Sequence, residues 1–211
     1  MTRNELAVLP DLTVSRETLE RLRAYEALLL KWTQRINLIS RHTRQDVWRR
    51  HIIDSAQLYP LIRSKSGSWL DLGSGGGLPG VILAILTAEG GRPAHIHMVE
   101  SDTRKASFLA HVCRELALPA TVHAERIERL TPFPVGLITA RALASVDQLL
   151  SYSVPFTEPS TQILLLKGEK AHSELTAARQ TWHSDIEVFE SRMDPTGRIL
   201  SLSNVRKRND T

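Results

Sequence analysis

A ten-residue stretch, DLGSGGGLPG at 71–80, constrains this chain more than anything else in it. Four glycines fall within the five positions 73–77. A backbone without Cβ atoms turns tightly and lets a ligand approach closely. The stretch follows a short apolar run, Ser68–Leu72, and leads into a helical run, Pro79–Ala88, with Pro in its first turn. Strand, glycine loop and helix in that order open a parallel sheet that binds ligands at the carboxyl ends of its strands.

The rest of the chain continues the alternation. His95–Glu100 reads as a strand, and Thr103–Leu116 as a helix with Phe108, Leu109, Val112 and Leu116 on one side. Further strands are expected at Thr121–Ala124, Gly136–Thr139 and Gln162–Leu166, with helices near Ser145–Tyr152 and Gly168–Trp182. A terminal hairpin, Glu187–Phe189 with Arg198–Leu202, turns around DPTG at 194–197. The expected fold class is α/β: a Rossmann-like, mostly parallel sheet with helices on both faces, over about 66–205. Ahead of it, 1–65 forms an N-terminal helical extension. Ser15, or Thr18 as an alternative start, caps a helix over 15–38, whose stripe is Leu19, Leu22, Tyr25, Leu29, Trp32 and Ile36. A second helix starts near Thr43 and carries Val47, His51, Asp54, Ser55 and Leu58 on one face. Residues 206–211 read as a frayed basic tail.

Two ligands compete for the glycine loop. Gly75, Gly77 and Gly80 satisfy G-x-G-x-x-G, the dinucleotide fingerprint, but that fingerprint starts directly after the strand. Counted from there, the glycines are Gly73, Gly75 and Gly77, with Leu78 where a third small residue belongs. Asp71 at the loop's entrance suits an ammonium or a polarised water network and would repel a pyrophosphate. This register favours S-adenosylmethionine over a nicotinamide dinucleotide. Glu100, at the end of the second strand, can accept hydrogen bonds from both ribose hydroxyls of either cofactor.

Charge narrows the partner. The net charge is +4, but between Lys31 and Lys65 eight Lys/Arg face only Asp46 and Asp54, so the remainder is slightly acidic. An uneven basic segment favours a polyanion, most commonly nucleic acid. With 42% hydrophobic and 24% charged residues the profile is that of a globular protein. The longest apolar run, VILAIL at 81–86, is too short to span a membrane, and MTRNELAVLP lacks a secretory stretch. A cytoplasmic protein without membrane contact is expected. Cys113, the single cysteine, excludes a disulfide framework and a Cys-based zinc site, so no metal is expected.

Taken together, these features resemble a class I S-adenosylmethionine-dependent methyltransferase. KWTQRINLIS (31–40), RRHIIDS (49–55), WLDLGSGGGLPGVILAI (69–85), ARALAS (140–145) and LLLKGE (164–169) narrow the resemblance. They are similar to the small-subunit ribosomal RNA guanine-N7 methyltransferase family, formerly glucose-inhibited division protein B. The similarity runs from about residue 20 to 203. It implies S-adenosyl-L-methionine as cofactor, bound by Gly73, Leu78, Ile127, Glu128 and Arg141, with Asp71, Gly75, Gly77 and Glu100 completing the cradle. It also implies small-subunit ribosomal RNA, or the ribosomal particle, as partner. Many relatives resemble GTGPGLPG where this chain has GSGGGLPG, so a loop proline is missing here.

Guanine N7 has a free lone pair and no proton to lose, so its methylation is direct displacement at a sulfonium methyl without a required general base. The sequence contains no N/D-P-P-Y/F tetrad for exocyclic amines, and Cys113 lies mid-helix, away from any Pro-Cys loop. His51, Asp54 and Lys167 are candidates for positioning the substrate. His51 and Asp54 lie one helical turn apart, and Lys167 follows a buried strand. Two other functions are compatible with the sequence. One is a methyltransferase for another RNA or a small molecule. The other is a nucleic-acid-binding module with an inactive cofactor site.

Overall fold

The computed structural model describes residues 6, 8–64, 67–89 and 94–208. Seven strands form one sheet in the order β3-β2-β1-β4-β5-β7-β6. The parallel members are β1 (Gly67–Leu72), β2 (Ala94–Val99), β3 (Ala120–His123), β4 (Val135–Arg141) and β5 (Thr157–Lys167). Strands β6 (Trp182–Glu190) and β7 (Arg198–Lys207) add an antiparallel edge to β5. The strand order reverses on either side of β1, between its neighbours β2 and β4, which is where open α/β sheets leave a crevice.

Alternation along the strands divides the core in two. Trp69, Ile96, Met98, Leu137, Leu164 and Ile199 join one apolar cluster, with α3 (Gly80–Glu89) and α4 (Thr103–Glu115). Leu70, Leu72, Ile138, Ala140, Ile163, Leu165 and Leu200 join the other, with α5 (Val146–Ser153) and α6 (Ala171–Thr181). Helices thus cover both faces. Among the described residues, side-chain caps start three helices: Ser15 on Thr18 N, Asp102 on Arg104 N and Lys105 N, and Ser145 on Gln148 N.

The N-terminal segment is no appendage. Helix α1 (Arg16–Thr33) buries Leu22, Tyr25 and Leu29 in the same cluster as α3 and α4. The expected division at 65/66 falls on Lys65 and Ser66, outside the described residues. Helix α1 ends five residues before the expected 38, although Ile36 prolongs its apolar stripe. The Thr33 carbonyl accepts a bond from the Arg44 guanidinium at 3.1 Å instead of from another turn of helix. The second helical stretch begins at Arg41 as a 3₁₀ helix to Asp46 and widens to a π-helix over Trp48–Ile53. It closes as a short α2 (Asp54–Ala56).

The terminal hairpin is longer than the expected Glu187–Phe189 and Arg198–Leu202. Its turn is where expected: Gly197 N bonds Asp194 O at 2.9 Å, and Asp194 Oδ1 accepts from Thr196 N at 2.9 Å. The strand β7 runs through Arg206 and Lys207, which pair with His183 and Trp182, so these two are not tail residues. Arg208 N still bonds Thr181 O at 2.8 Å; residues 209–211 of the expected tail lie outside the described residues. No helix among the described residues is long and apolar enough to cross a membrane.

Candidate active site

The glycine loop is tied down from beneath and from the side. Ser74 N donates to Val99 O at 3.0 Å, and Ser74 Oγ donates to Asp71 O at 3.1 Å, binding the loop to the ends of β1 and β2. Gly73, Gly75 and Gly77 all have positive φ, which L side chains rarely adopt. At Gly77 a Cβ would also lie 2.4 Å from Val81 Cγ2, so that glycine serves the packing of the loop on α3.

Asp71 holds the loop from beneath. Its side chain is buried at 1% exposure, accepting from Thr139 Oγ1 at 2.7 Å and from Gly80 N, at the start of α3, at 3.2 Å. Asp71, expected at the cofactor, thus makes its side-chain contacts within the fold. The residue points to the face of the sheet that packs on α3, as its parity with Trp69 requires.

Burial raises the Asp71 carboxyl from 3.8 to about 6, against the bonds from Thr139, Ser74 and Gly80. Between those two pH values the folded protein retains a proton that the unfolded chain has lost. Stability contributed by this group therefore falls as pH rises from about 4 to about 6, and is level above that. Asn can accept from Gly80 N and donate to Thr139. Asp71→Asn is expected to fold and to remove that slope, measured as the difference from wild type in urea midpoints between pH 4.5 and 7.

A residue of the apolar stripe of α1 completes the anchoring. Tyr25, fully buried in α1, donates its hydroxyl to Gly76 O at 2.6 Å. Burial pushes this hydroxyl's pKa well up, so it stays a donor. Tyr25→Phe leaves the Gly76 carbonyl without its partner and is expected to cost about 1–2 kcal/mol, read from chemical denaturation.

Above the loop lies a cleft of about 340 Å³. Among the residues expected to bind a cofactor, it is lined by Gly73, Gly75, Leu78, Glu100, Ile127, Glu128 and Arg141. Asp71 and Gly77 are not on its walls. Glu100 is engaged in the fold as well: Oε2 accepts from Gly75 N and Oε1 from Asp102 N, each at 2.8 Å. Ile127 and Glu128 sit on a 3₁₀ turn after β3, and Glu128 shares the cleft wall with Tyr152 of α5. Leu38, Leu143 and Tyr152 also line the cleft; two hydrophobic loop residues and one tyrosine near the end of α5 carry no local signal for this.

A second cavity, of about 530 Å³, shares Arg141 and Ala142 with the first. Here the structure brings together the three residues expected to position a substrate. Arg141 Nη1 donates to Asp54 Oδ2 at 3.2 Å and to Arg50 O at 3.3 Å, and Nη2 donates to His51 Nδ1 at 2.9 Å. Arginine only donates, so His51 Nδ1 is unprotonated. Burial, with Arg141 and Arg50 nearby, lowers the His51 pKa to about 3, so the ring is neutral and carries its proton on Nε2. That proton points to Thr43 Oγ1 at 2.8 Å, and Thr43 passes its own to Ser40 O at 3.0 Å. Burial raises the Asp54 pKa, with Arg141 opposing it. The π-helix places His51 in this network; such turns recur at functional sites.

Lys167 lines the same cavity with its charge already used. Its ammonium donates to Ala144 O at 2.6 Å and pairs with Glu174 Oε2 at 2.7 Å, which in turn accepts from Val146 N at 3.0 Å. Only 8% of its side chain is exposed. Lys167 thereby fixes the segment 141–146 that separates the two cavities. Cys113 is buried and its thiol is pushed up to about 11, which keeps it a thiol rather than a nucleophile.

Sheet order, glycine loop and cleft define a class I S-adenosylmethionine-dependent methyltransferase fold. A Listeria monocytogenes chain assigned to that class superposes with a TM-score of 0.62 at 15% identity, covering 92% of this chain and 70% of the other. The particular family follows from sequence. Residues 18–194 match the GidB family, described as rRNA small subunit methyltransferase G, and the chain belongs to it. A "Ribosomal RNA small subunit methyltransferase G" from Rhodospirillum centenum is 49% identical over 92% of this chain and 88% of its own length. One of the same name from Cereibacter sphaeroides is 46% identical over 96% and 97%.

Proposed function

We propose that this protein transfers a methyl group from S-adenosyl-L-methionine to N7 of a guanine in small-subunit ribosomal RNA. Family membership over 18–194 supports the donor, the reaction and the RNA class. The observation that carries the reading at the level of the site is the pair of cavities meeting at Arg141 and Ala142. One suits a nucleoside-bearing donor and the other an incoming base. The cofactor supplies an electrophilic methyl on a sulfonium.

The residues of the cleft fit such a cofactor. The positive-φ glycines leave room above the loop, and a Cβ at Gly73 would run into Leu143. Glu100 offers its remaining lone pairs to ribose hydroxyls, while Gly73, Gly75, Leu78, Ile127, Glu128 and Arg141 form the surrounding wall. Asp71, Gly77 and Tyr25 act from behind by holding the loop.

The second cavity suits a nucleophile that loses no proton. The His51 Nδ1 lone pair is taken by Arg141, Asp54 is paired with Arg141, and Glu174 with Lys167. These groups position one another, and what remains for catalysis is alignment of nitrogen, methyl and sulfur. A substrate base must be unpaired or turned out to enter such a cavity. Such an enzyme works where ribosomes assemble, in the cytoplasm, on free RNA or on a particle.

The test is methyl-labelled S-adenosylmethionine with small-subunit ribosomal RNA from cells lacking the enzyme, as free RNA and as assembled particles. The expected result is label in N7-methylguanosine, and the better substrate identifies the assembly stage. Bound cofactor with no label in any nucleoside would replace this reading with a small-molecule methyltransferase or a binding module.

A further inference from the structure

The segment 34–44, the loop after α1 together with the start of the 3₁₀ helix, reaches three places. Leu38 lines the cofactor cleft. Thr43 lines the second cavity and accepts a hydrogen bond from His51 Nε2. The outer side of the loop, with the end of α1, walls a third cavity of about 550 Å³.

This third cavity has a one-sided chemistry. Arg35, Arg41, Arg44 and His42 line it, and no acidic residue does. Arg35 and Arg41 are exposed and make no salt bridge among the described residues. Arg44 is clamped, with one terminal nitrogen on Thr33 O at 3.1 Å, while its Nε is buried without an acceptor. Beside it Thr33 is 3% exposed, and its Oγ1 is buried without a partner. Both atoms are closed off from solvent, so they belong to the floor of the groove and leave contact with a partner to the rim. What the groove offers a partner is the two rim guanidinium groups of Arg35 and Arg41, which call for an anion, and the arginine fork matches phosphate.

We propose that this groove is a phosphodiester-binding subsite for the backbone of the substrate RNA, one that also steadies the loop shared by both reaction cavities. The proposal rests on the RNA reading given above. The groove is open at the surface and its cations are spread across it, which suits a passing strand rather than an enclosed small anion.

Two variants test it. Arg35→Gln/Arg41→Gln removes the rim charges, and Arg179→Gln/Arg206→Gln removes the same charge from exposed positions elsewhere. RNA affinity is measured by fluorescence anisotropy from 50 to 200 mM KCl, with KM and kcat for methylation. The rim variant is expected to raise KM for RNA about tenfold and to lower the slope of log K against log salt by about 1–2, as one or two lost phosphate contacts require. Affinity for S-adenosylhomocysteine is expected to be unchanged, and the charge-matched control to follow wild type.

An unchanged slope and KM in the rim variant of an enzyme that methylates RNA would overturn the groove alone. A wild-type enzyme that neither binds nor methylates RNA would overturn the reading on which the groove rests, and the groove with it. Polyglutamate bound as tightly as RNA at the same salt would replace the phosphodiester with an acidic peptide.

Discussion

Glu100→Gln is expected to weaken S-adenosylmethionine binding by about 10- to 100-fold, far more than its small change in shape suggests. Both oxygens of Glu100 accept backbone amides, Gly75 N and Asp102 N, each at 2.8 Å. Gln keeps one acceptor and turns an NH₂ toward the other amide, donor against donor. Whichever way it turns, either the glycine loop or the N-cap of α4 loses its anchor. A charge-assisted hydrogen bond contributes about 1.5–3 kcal/mol, and each 1.4 kcal/mol is about tenfold in affinity. The charge that would face the ribose hydroxyls is lost at the same time. Glu100→Ala removes both acceptors and is expected to lower the thermal midpoint as well. Titration calorimetry with S-adenosylhomocysteine reads the effect. Affinity within twofold of wild type in the Gln variant would mean that the carboxylate neither holds the loop nor meets the ligand.

This double duty of Glu100 shows where sequence reasoning reaches and where it stops. Its position at a strand end was legible, because periodicity and the glycine punctuation locate the parallel strands and the carboxyl edge of the sheet. The alternation of Trp69, Leu70 and Leu72 between the two apolar clusters is the same signal. What lies across the chain was not legible. The hydroxyl of Tyr25 meets a carbonyl 51 residues away, and nothing local distinguishes Tyr25 from the rest of its stripe. Asp71 and Lys167 stand at the correct edge, yet one is buried on Thr139 and Gly80 and the other is paired to Glu174. Residue type and position locate a charged group; its partners decide whether it faces a ligand. The same holds for α1, where a side chain from Arg44 ends a helix that its apolar stripe would prolong.

Arg141→Met is expected to lower the rate of methyl transfer by about 100-fold or more, with a much smaller loss of cofactor affinity. Cofactor affinity survives because Arg141 is one wall of a cleft whose loop is anchored elsewhere, by Glu100, Tyr25 and Asp71. The rate falls because Arg141 alone joins Asp54, His51 and the Arg50 carbonyl at the boundary of the two cavities. Misplacement of reacting groups by about 1 Å can cost 100-fold. Arg141→Lys is not expected to restore the rate, since a single ammonium cannot span the carboxylate and the imidazole as the guanidinium does. The pH profile separates positioning from mere instability. Arg141 lowers the pKa of Asp54, which burial raises, and it helps to lower that of His51. Without it both pKa values rise, so Asp54 becomes neutral and His51 becomes charged at higher pH than in wild type. The acid limb of kcat is therefore expected to move to higher pH in Arg141→Met. An unshifted limb together with a wild-type rate would remove Arg141 from the reaction and leave it as a structural ion pair.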